Sequence, residues 1–232
     1  MDTLEAELDR ARDLDVATLA DAIVEIGFEC TRCGACCKAE TCGNEASDDA
    51  ESDSEPHTAT VFPDEIRRVQ DAGDQEYDFR DAARPMPYGL EDGPEGPEGE
   101  TFEWALQTDD CGDCTFYSED ESGTGACTVH EDRPLICRTY PFSVALGGTS
   151  QPMGEAVDEE GMVRAHECEG LGRDISRAEA EELAAALKER AIREIEEAIA
   201  VRDAYEPVET GPGEIVVHDS EGQKRPDGTP LD

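Results

Sequence analysis

Cysteine is the residue with the most chemistry to offer in this chain, and there are 10 of them in 232 residues. Cys30, Cys33 and Cys36 stand at C-x-x-C-x-x-C spacing, and Cys37 follows directly. Thiolates three residues apart can converge on one cation if small residues between them let the backbone turn back. Gly34 and Ala35 supply that freedom. A second group, Cys111, Cys114, Cys127, Cys137 and Cys168, is spread further along the chain. In a reducing compartment such density reads as metal-binding or catalytic, and a disulfide framework is disfavoured. The first three spacings match the start of a bacterial ferredoxin run, yet no cysteine stands three residues beyond Cys36 with a proline behind it. A fourth ligand must be Cys37 or come from elsewhere. Adjacent Cys36 and Cys37 are expected to point apart, so at least one should look to a distant partner such as Cys137.

Charge alone does not choose the metal, because four thiolates leave a net −2 around either Zn²⁺ or a [4Fe–4S]²⁺ cluster. The C-x-x-C-x-x-C run favours the [4Fe–4S] cluster. Zinc, which prefers well-separated pairs, and mononuclear iron are the alternatives. Two cysteine windows are locally basic. Residues 28–38 hold Arg32 and Lys38 against Glu29, and residues 132–142 hold Arg133 and Arg138 against Asp132. These cations would offset thiolate charge; the sharper reading has Arg32, Arg133 and Arg138 bind an anionic cofactor or substrate. The four histidines are weaker signals. His166 reads as a surface residue rather than a ligand, and His57 and His218 lie in polar stretches. No phosphate-cradling glycine motif and no nucleophilic triad stand in the sequence.

The separated motifs occur in a distinctive order: Cys30 to Cys37, Cys114-Thr-Phe, Cys127-Thr-Val, Arg133-Pro-Leu-Ile-Cys137-Arg-Thr-Tyr-Pro-Phe and Cys168-Glu-Gly. Over about residues 28–172 this resembles the YkgJ-type cysteine-cluster family, a zinc- or iron-chelating domain. Phe62-Pro63-Asp64-Glu65-Ile66 resembles the family's strand-to-helix step. The resemblance implies metal ligation by Cys30, Cys33, Cys36, Cys37, Cys114, Cys127, Cys137 and Cys168. Cys42 and Cys111 are additions to the pattern, and His130 stands where the family usually has Tyr.

The positioning elements follow from periodicity and caps. Residues 3–26 predict one or two short helices, with Asp15 capping the second and Val16, Leu19, Ile23 and Ile26 on one face. A strand at 58–62 leads into a helix opened by Pro63. Phe102, Trp104 and Leu106 alternate with Glu103 and Ala105, which predicts a half-buried strand. A hairpin is expected around 118–125 and a bend at Arg133-Pro134. Ser176 and Glu179 form a capping box that starts the longest helix, carrying Leu183, Leu187, Ala191, Ile195 and Ile199 as one stripe. Acidic loops are expected at 38–57 and 89–100, the latter without regular structure because of its Gly and Pro. A strand at 214–218 precedes a tail.

The whole predicts an α+β chain. A small irregular cysteine-rich metal-binding domain with short strands (28–172) lies between an N-terminal helical segment (1–27) and a long C-terminal helix (173–205), with a short strand and tail at 206–232. Acidic residues number 59 against 19 basic, a net charge of 19 − 59 = −40. That excludes non-specific nucleic-acid or anionic-membrane binding. Together with the scarcity of lysine, it suggests a salt-rich, halophile-like cytosol. No run of about 18 apolar residues is present, so no membrane-spanning helix is expected. The start Met1-Asp2-Thr3-Leu4-Glu5 lacks a basic-then-apolar leader, and the expected location is cytoplasmic. Function is expected to be that of a cysteine-cluster metalloprotein, either a redox or cluster-dependent enzyme or a non-enzymatic zinc-stabilised interaction module. A protein partner would dock on the C-terminal helix.

Overall fold

Asp15 does what its position demands: its carboxylate accepts from the Thr18 amide at 2.8 Å and starts a helix. The same logic applies at Ser176, where the Ser176 amide donates to Glu179 at 3.1 Å and the Glu179 amide to the Ser176 hydroxyl at 3.3 Å. The computed structural model describes residues 3–39, 56–72, 77–146, 156–158 and 161–231. In chain order these form α1 (Leu4–Asp13), α2 (Val16–Ile26), β1 (Thr60–Val61), α3 (Pro63–Gln70), α4 (Phe79–Ala82), β2 (Ala83–Pro85), β3 (Leu90–Gly93), β4 (Gly96–Thr101) and β5 (Trp104–Leu106). There follow β6 (Tyr117–Glu119), β7 (Gly125–Cys127), a 3-10 turn (His130–Asp132), α5 (Leu135–Thr139), β8 (Phe142–Val144), β9 (Ala156–Asp158), β10 (Val163–His166), α6 (Arg177–Ala204), β11 (Ile215–Asp219) and β12 (Gly222–Lys224). The fold is α+β, as the sequence predicts. The expected acidic loop at 38–57 falls largely on residues 40–55, outside the described residues.

The chain divides into two compact units. The first combines Met1–Thr31 with Pro134–Ala204. Its core is made by α1, α2 and α6 with the small antiparallel sheet β8-β10-β9. Leu19, Ile23, Phe142, Ala180, Ala184, Leu187 and Ile195 are buried there. The stripe on α6 therefore packs into its own unit, which leaves the polar face of that helix to solvent. Truncating Leu187 or Ile195, each 1% exposed, should cost about 2–5 kcal/mol.

The second unit combines Arg32–Arg133 with Tyr205–Asp232. It holds the sheet β1-β5-β2, the sheet β12-β11-β4-β3 and the hairpin β6-β7. The central strand β5 is flanked on both sides, and Trp104, Ala105 and Leu106 are all buried. The expected half-buried alternation is thus confined to Phe102, which is exposed before the strand begins. Residues 90–101 also differ from expectation, forming the antiparallel hairpin β3-β4. Pro97 is tolerated because β4 meets β11 only from Gly99 onward, so its missing N–H costs no central ladder bond. The tail likewise gains a short strand, β12, antiparallel to β11.

Charge is used structurally in this unit. The Trp104 indole N–H donates to Asp219 at 2.8 Å, and Lys224 reaches Asp219 at 2.9 Å and Glu221 at 2.7 Å. Arg67 bonds both oxygens of Glu221, at 3.1 and 2.7 Å. Arg67 first, with Lys224, holds the Glu221 carboxyl well below its ordinary value, at about 2. A depressed carboxylate contributes stability above its unfolded pKa and loses it as pH falls through the folded one. Glu221→Gln should therefore flatten the acid limb of a stability-against-pH curve between the ordinary 4.5 and about 2. Denaturation series across that window should show the effect, and added salt should reduce it because both partners are half-exposed.

Candidate metal centre

The compact cysteine loop is shaped by two backbone positions outside the usual right-handed region. Arg32 sits at φ 58° and Gly34 at φ 77°. Residues 35–37 then form a turn, closed by the Cys37 amide on the Gly34 carbonyl at 2.8 Å. A side chain at 34 is impossible on two counts. It would be strained at that φ, and its Cβ would lie 2.2 Å from the Tyr117 hydroxyl. Tyr117 lies across this loop, and its hydroxyl donates to Glu119 at 2.6 Å. Glu119 also pairs with Lys38, whose ammonium stands 5.1 Å from the centre of the Tyr117 ring.

Backbone bonds bring the other second-unit cysteines to the same loop. The Cys114 amide donates to the Cys37 carbonyl at 2.8 Å, and the Gly125 amide donates to the Arg32 carbonyl at 2.7 Å. Cys127 stands opposite Tyr117 in the β6-β7 hairpin. The Cys36 and Cys37 sulfurs lie 3.7 Å apart. The adjacent pair does not point apart, contrary to expectation, because the tight 35–37 turn rotates both side chains to one side. Cys33 is half-buried in the same unit.

The Cys37 hydrogen bond, with the Cys36 backbone amide and Arg133, holds Cys36 down to about 7 against desolvation. Burial pushes Cys114 up to about 11, and the charges of Cys127 and Cys36 add to the rise. Burial also raises Cys127, with Arg133 opposing it and Cys36 adding to it. Arg133 is thus the predicted arginine whose charge acts on the thiols. Its Nε donates to the His130 carbonyl at 2.9 Å, which fixes the guanidinium stem. Arg32 is exposed, and its carbonyl accepts from the Gly125 amide.

The remaining cysteines lie in the first unit. Cys30 follows a segment held against the chain after Cys168. Phe28 bridges Leu171, and the Glu29 amide donates to the Gly170 carbonyl at 3.0 Å. A Cβ at 170 would meet the Glu29 carbonyl at 2.3 Å, so glycine permits this approach. The Cys168 sulfur accepts from the Gly170 amide at 3.4 Å. Cys137 sits on α5, and the chain beyond it returns toward Cys168 through the Tyr140 hydroxyl on the Glu167 carbonyl and the His166 amide on the Pro141 carbonyl. Three segments carrying one thiol each are therefore joined by main-chain bonds. Arg138 is exposed on α5.

Several expectations need correction. His166 is buried at 4% exposure and bonds Ser143 at 2.8 Å, so it is no surface residue. His218 is buried beside Glu100 at 3.1 Å and stacks on Phe102. His57 is half-buried, and burial, then Arg84, drives its imidazole down to about 4. His130 is exposed and pairs with Glu131. Cys111 departs from the expectation of free thiols, since it is disulfide-bonded. Cys42 lies outside the described residues.

Cys30, Cys33, Cys36, Cys37, Cys114, Cys127, Cys137 and Cys168, the eight that the motif order singles out, all lie among the described residues. The chain matches the model of the CxxCxxCC family, described as "Putative zinc- or iron-chelating domain", over residues 29–169. It belongs to that family. The match to the CxxCxxCC domain contains all eight of these cysteines and ends before α6. No curated protein and no solved structure matches the chain. Among the described residues no group of three or more His, Cys, Asp or Glu side chains is gathered to hold a metal ion. The donor chemistry nevertheless fits the domain's description, because free thiols near an arginine suit a zinc or iron ion.

Sequence reasoning passed over Tyr117 and Gly125. A tyrosine three residues after a cysteine gives no signal by itself, since its partner Gly34 lies far back in the chain. In metal-free protein the thiols should differ in reactivity. Cys36 should alkylate first, with a pH midpoint near 7, and Cys114 last. Peptide mapping after timed iodoacetamide labelling across pH 6–9 would read the order, about one decade of rate per pH unit below each midpoint.

Proposed function

We propose that the CxxCxxCC domain of this chain is a thiolate chelator that holds one zinc or iron ion through Cys36, Cys37, Cys114 and Cys127. The 3.7 Å approach of the Cys36 and Cys37 sulfurs carries this reading. Tetrahedral ligation at about 2.3 Å per metal–sulfur bond places ligand sulfurs about 3.8 Å from one another. In a [4Fe–4S] cluster each thiolate takes a different iron and the sulfurs spread further, so this pair fits a single ion better. Arg133 then offsets part of the net −2 that four thiolates leave on a divalent ion.

Cys30, Cys137 and Cys168 make a second thiolate group in the other unit, and Cys33 completes the set of eight. This assignment rests on the family pattern they fall in and on the bonds joining their segments. An ion bound here supplies structural cross-links and, where a coordination position stays open, Lewis acidity. The reading is of a metal-binding module in a cytoplasmic setting. The rival [4Fe–4S] reading, with redox or cluster-dependent activity, is favoured by the C-x-x-C-x-x-C spacing of Cys30, Cys33 and Cys36.

Anaerobic purification followed by metal and acid-labile sulfide analysis separates the readings. Zinc or iron without sulfide is expected. Ser substitution at Cys36, Cys37, Cys114 or Cys127 should each remove the same ion and lower the melting temperature, because ligation and folding are coupled. Labile sulfide with a broad visible absorption would replace the single-ion reading with the cluster. Unchanged metal content in the Cys36→Ser and Cys114→Ser proteins would refute this ligand set.

A further inference from the structure

A buried charge on α6 faces the helix that carries Cys137. Arg190 is 2% exposed in the first unit, yet it is a guanidinium among Leu187, Ala191 and Ile195. Burying such a group is costly, and an apolar residue of similar volume would often be no less stable. Its contacts show where it is directed. Nη1 donates to the Thr139 hydroxyl at 3.1 Å and to the Phe142 carbonyl at 3.4 Å. Nε donates to Glu194 one turn further on, at 2.7 Å. The Thr139 hydroxyl in turn donates to the Leu135 carbonyl at 2.7 Å. Arg190 thus grips the C-terminal end of α5 and the first residue of β8, on either side of the Tyr140-Pro141 corner. Leu135 and Thr139 are the buried face of α5, whereas Cys137 and Arg138 lie off that face. Fixing Thr139 fixes the rotation of this five-residue helix and with it the direction of Cys137.

We propose that Arg190 is a positioning residue for metal ligation by Cys137, so that α6, which lies beyond the family match, belongs to the chelating apparatus. The inference rests on the reading of Cys137 as a ligand. Outer partners that orient a ligand typically alter metal affinity about 10–100-fold when removed. Glu194 completes the arrangement by holding the guanidinium stem.

The test uses the full chain loaded with zinc, and in parallel with cobalt as a spectroscopic probe. Metal per chain, the rate of release to a chromogenic chelator and the thiolate-to-cobalt absorption are measured for four variants. Cys137→Ser is the control for the underlying reading and should lose metal. Arg190→Met should release zinc about 10–100-fold faster and weaken the thiolate-to-cobalt absorption. Arg190→Lys, which keeps the charge but not the fork, should fall between it and the parent. Thr139→Val removes the acceptor without touching α6 and should show the same accelerated release, so it decides the matter if Arg190→Met fails to fold. Release and spectra like the parent in Thr139→Val and in folded Arg190→Met, with metal lost in Cys137→Ser, would overturn the role of Arg190. Parental metal binding in Cys137→Ser would instead overturn Cys137 as a ligand, and the inference with it.

Discussion

The organising constraint in the second unit is that the Cys36 and Cys37 sulfurs lie 3.7 Å apart, with the Cys114 amide bonded to the same loop, in a chain already at −40. Cys36 acts on Cys114 and Cys127, and those two are pushed upward by burial and by its charge. Such a group cannot ionise fully without a cation, because each added thiolate raises the cost of the next. A divalent ion reverses that logic, since it turns mutual repulsion into shared attraction and deprotonates its ligands. The surrounding fold is fitted to this arrangement. Gly34 allows the turn, Tyr117 covers it, and the Cys37 and Arg32 carbonyls tie in Cys114 and the β6-β7 hairpin.

The first unit solves a different problem. Its helices and small sheet make a conventional apolar core, so it does not depend on ligation for cohesion. Its three cysteines sit on segments that leave that core: the chain after α2, the short α5 and the chain after β10. Their placement is consequently set by hydrogen bonds near the core's edge. Gly170 passes under Glu29, Tyr140 reaches the Glu167 carbonyl, and Arg190 holds Thr139. Ligands presented by short, rigidly anchored segments lose little conformational entropy on binding.

Local rules made much of this legible in the sequence. Asp15, Ser176 and Glu179 announced their helices because capping is a contact within three residues. The eight cysteines of the family pattern were marked by motif order, which needs no tertiary information. What escaped depends on distant partners. Residues 90–101 looked irregular from Gly and Pro content, yet β4 is stabilised by pairing with β11 from the far end of the chain. His166 and His218 looked superficial because neighbours in sequence are polar, whereas tertiary packing buries them. Cys36 and Cys37 were misread for a subtler reason. Adjacent side chains diverge in extended backbone but can share a side within a tight turn, and the turn depends on Gly34 fitting beneath Tyr117.

The scarcity of basic residues gives the placement of each one weight. Lys38, Arg67, Arg177, Arg190, Arg202 and Lys224 are all paired with carboxylates. Others are held on backbone carbonyls, as Arg84 is on His57 and Lys188 on Leu14. Arg133 is of this second kind, anchored on the His130 carbonyl, and its charge lowers Cys36 and Cys127. Salt would screen an exposed carboxylate pair, but a half-buried guanidinium next to thiols retains much of its field. At high ionic strength the long-range repulsion among carboxylates fades while this short-range interaction persists. The basic window at 132–142 is therefore best understood as local compensation for thiolate charge, and Arg133 is the residue that provides it.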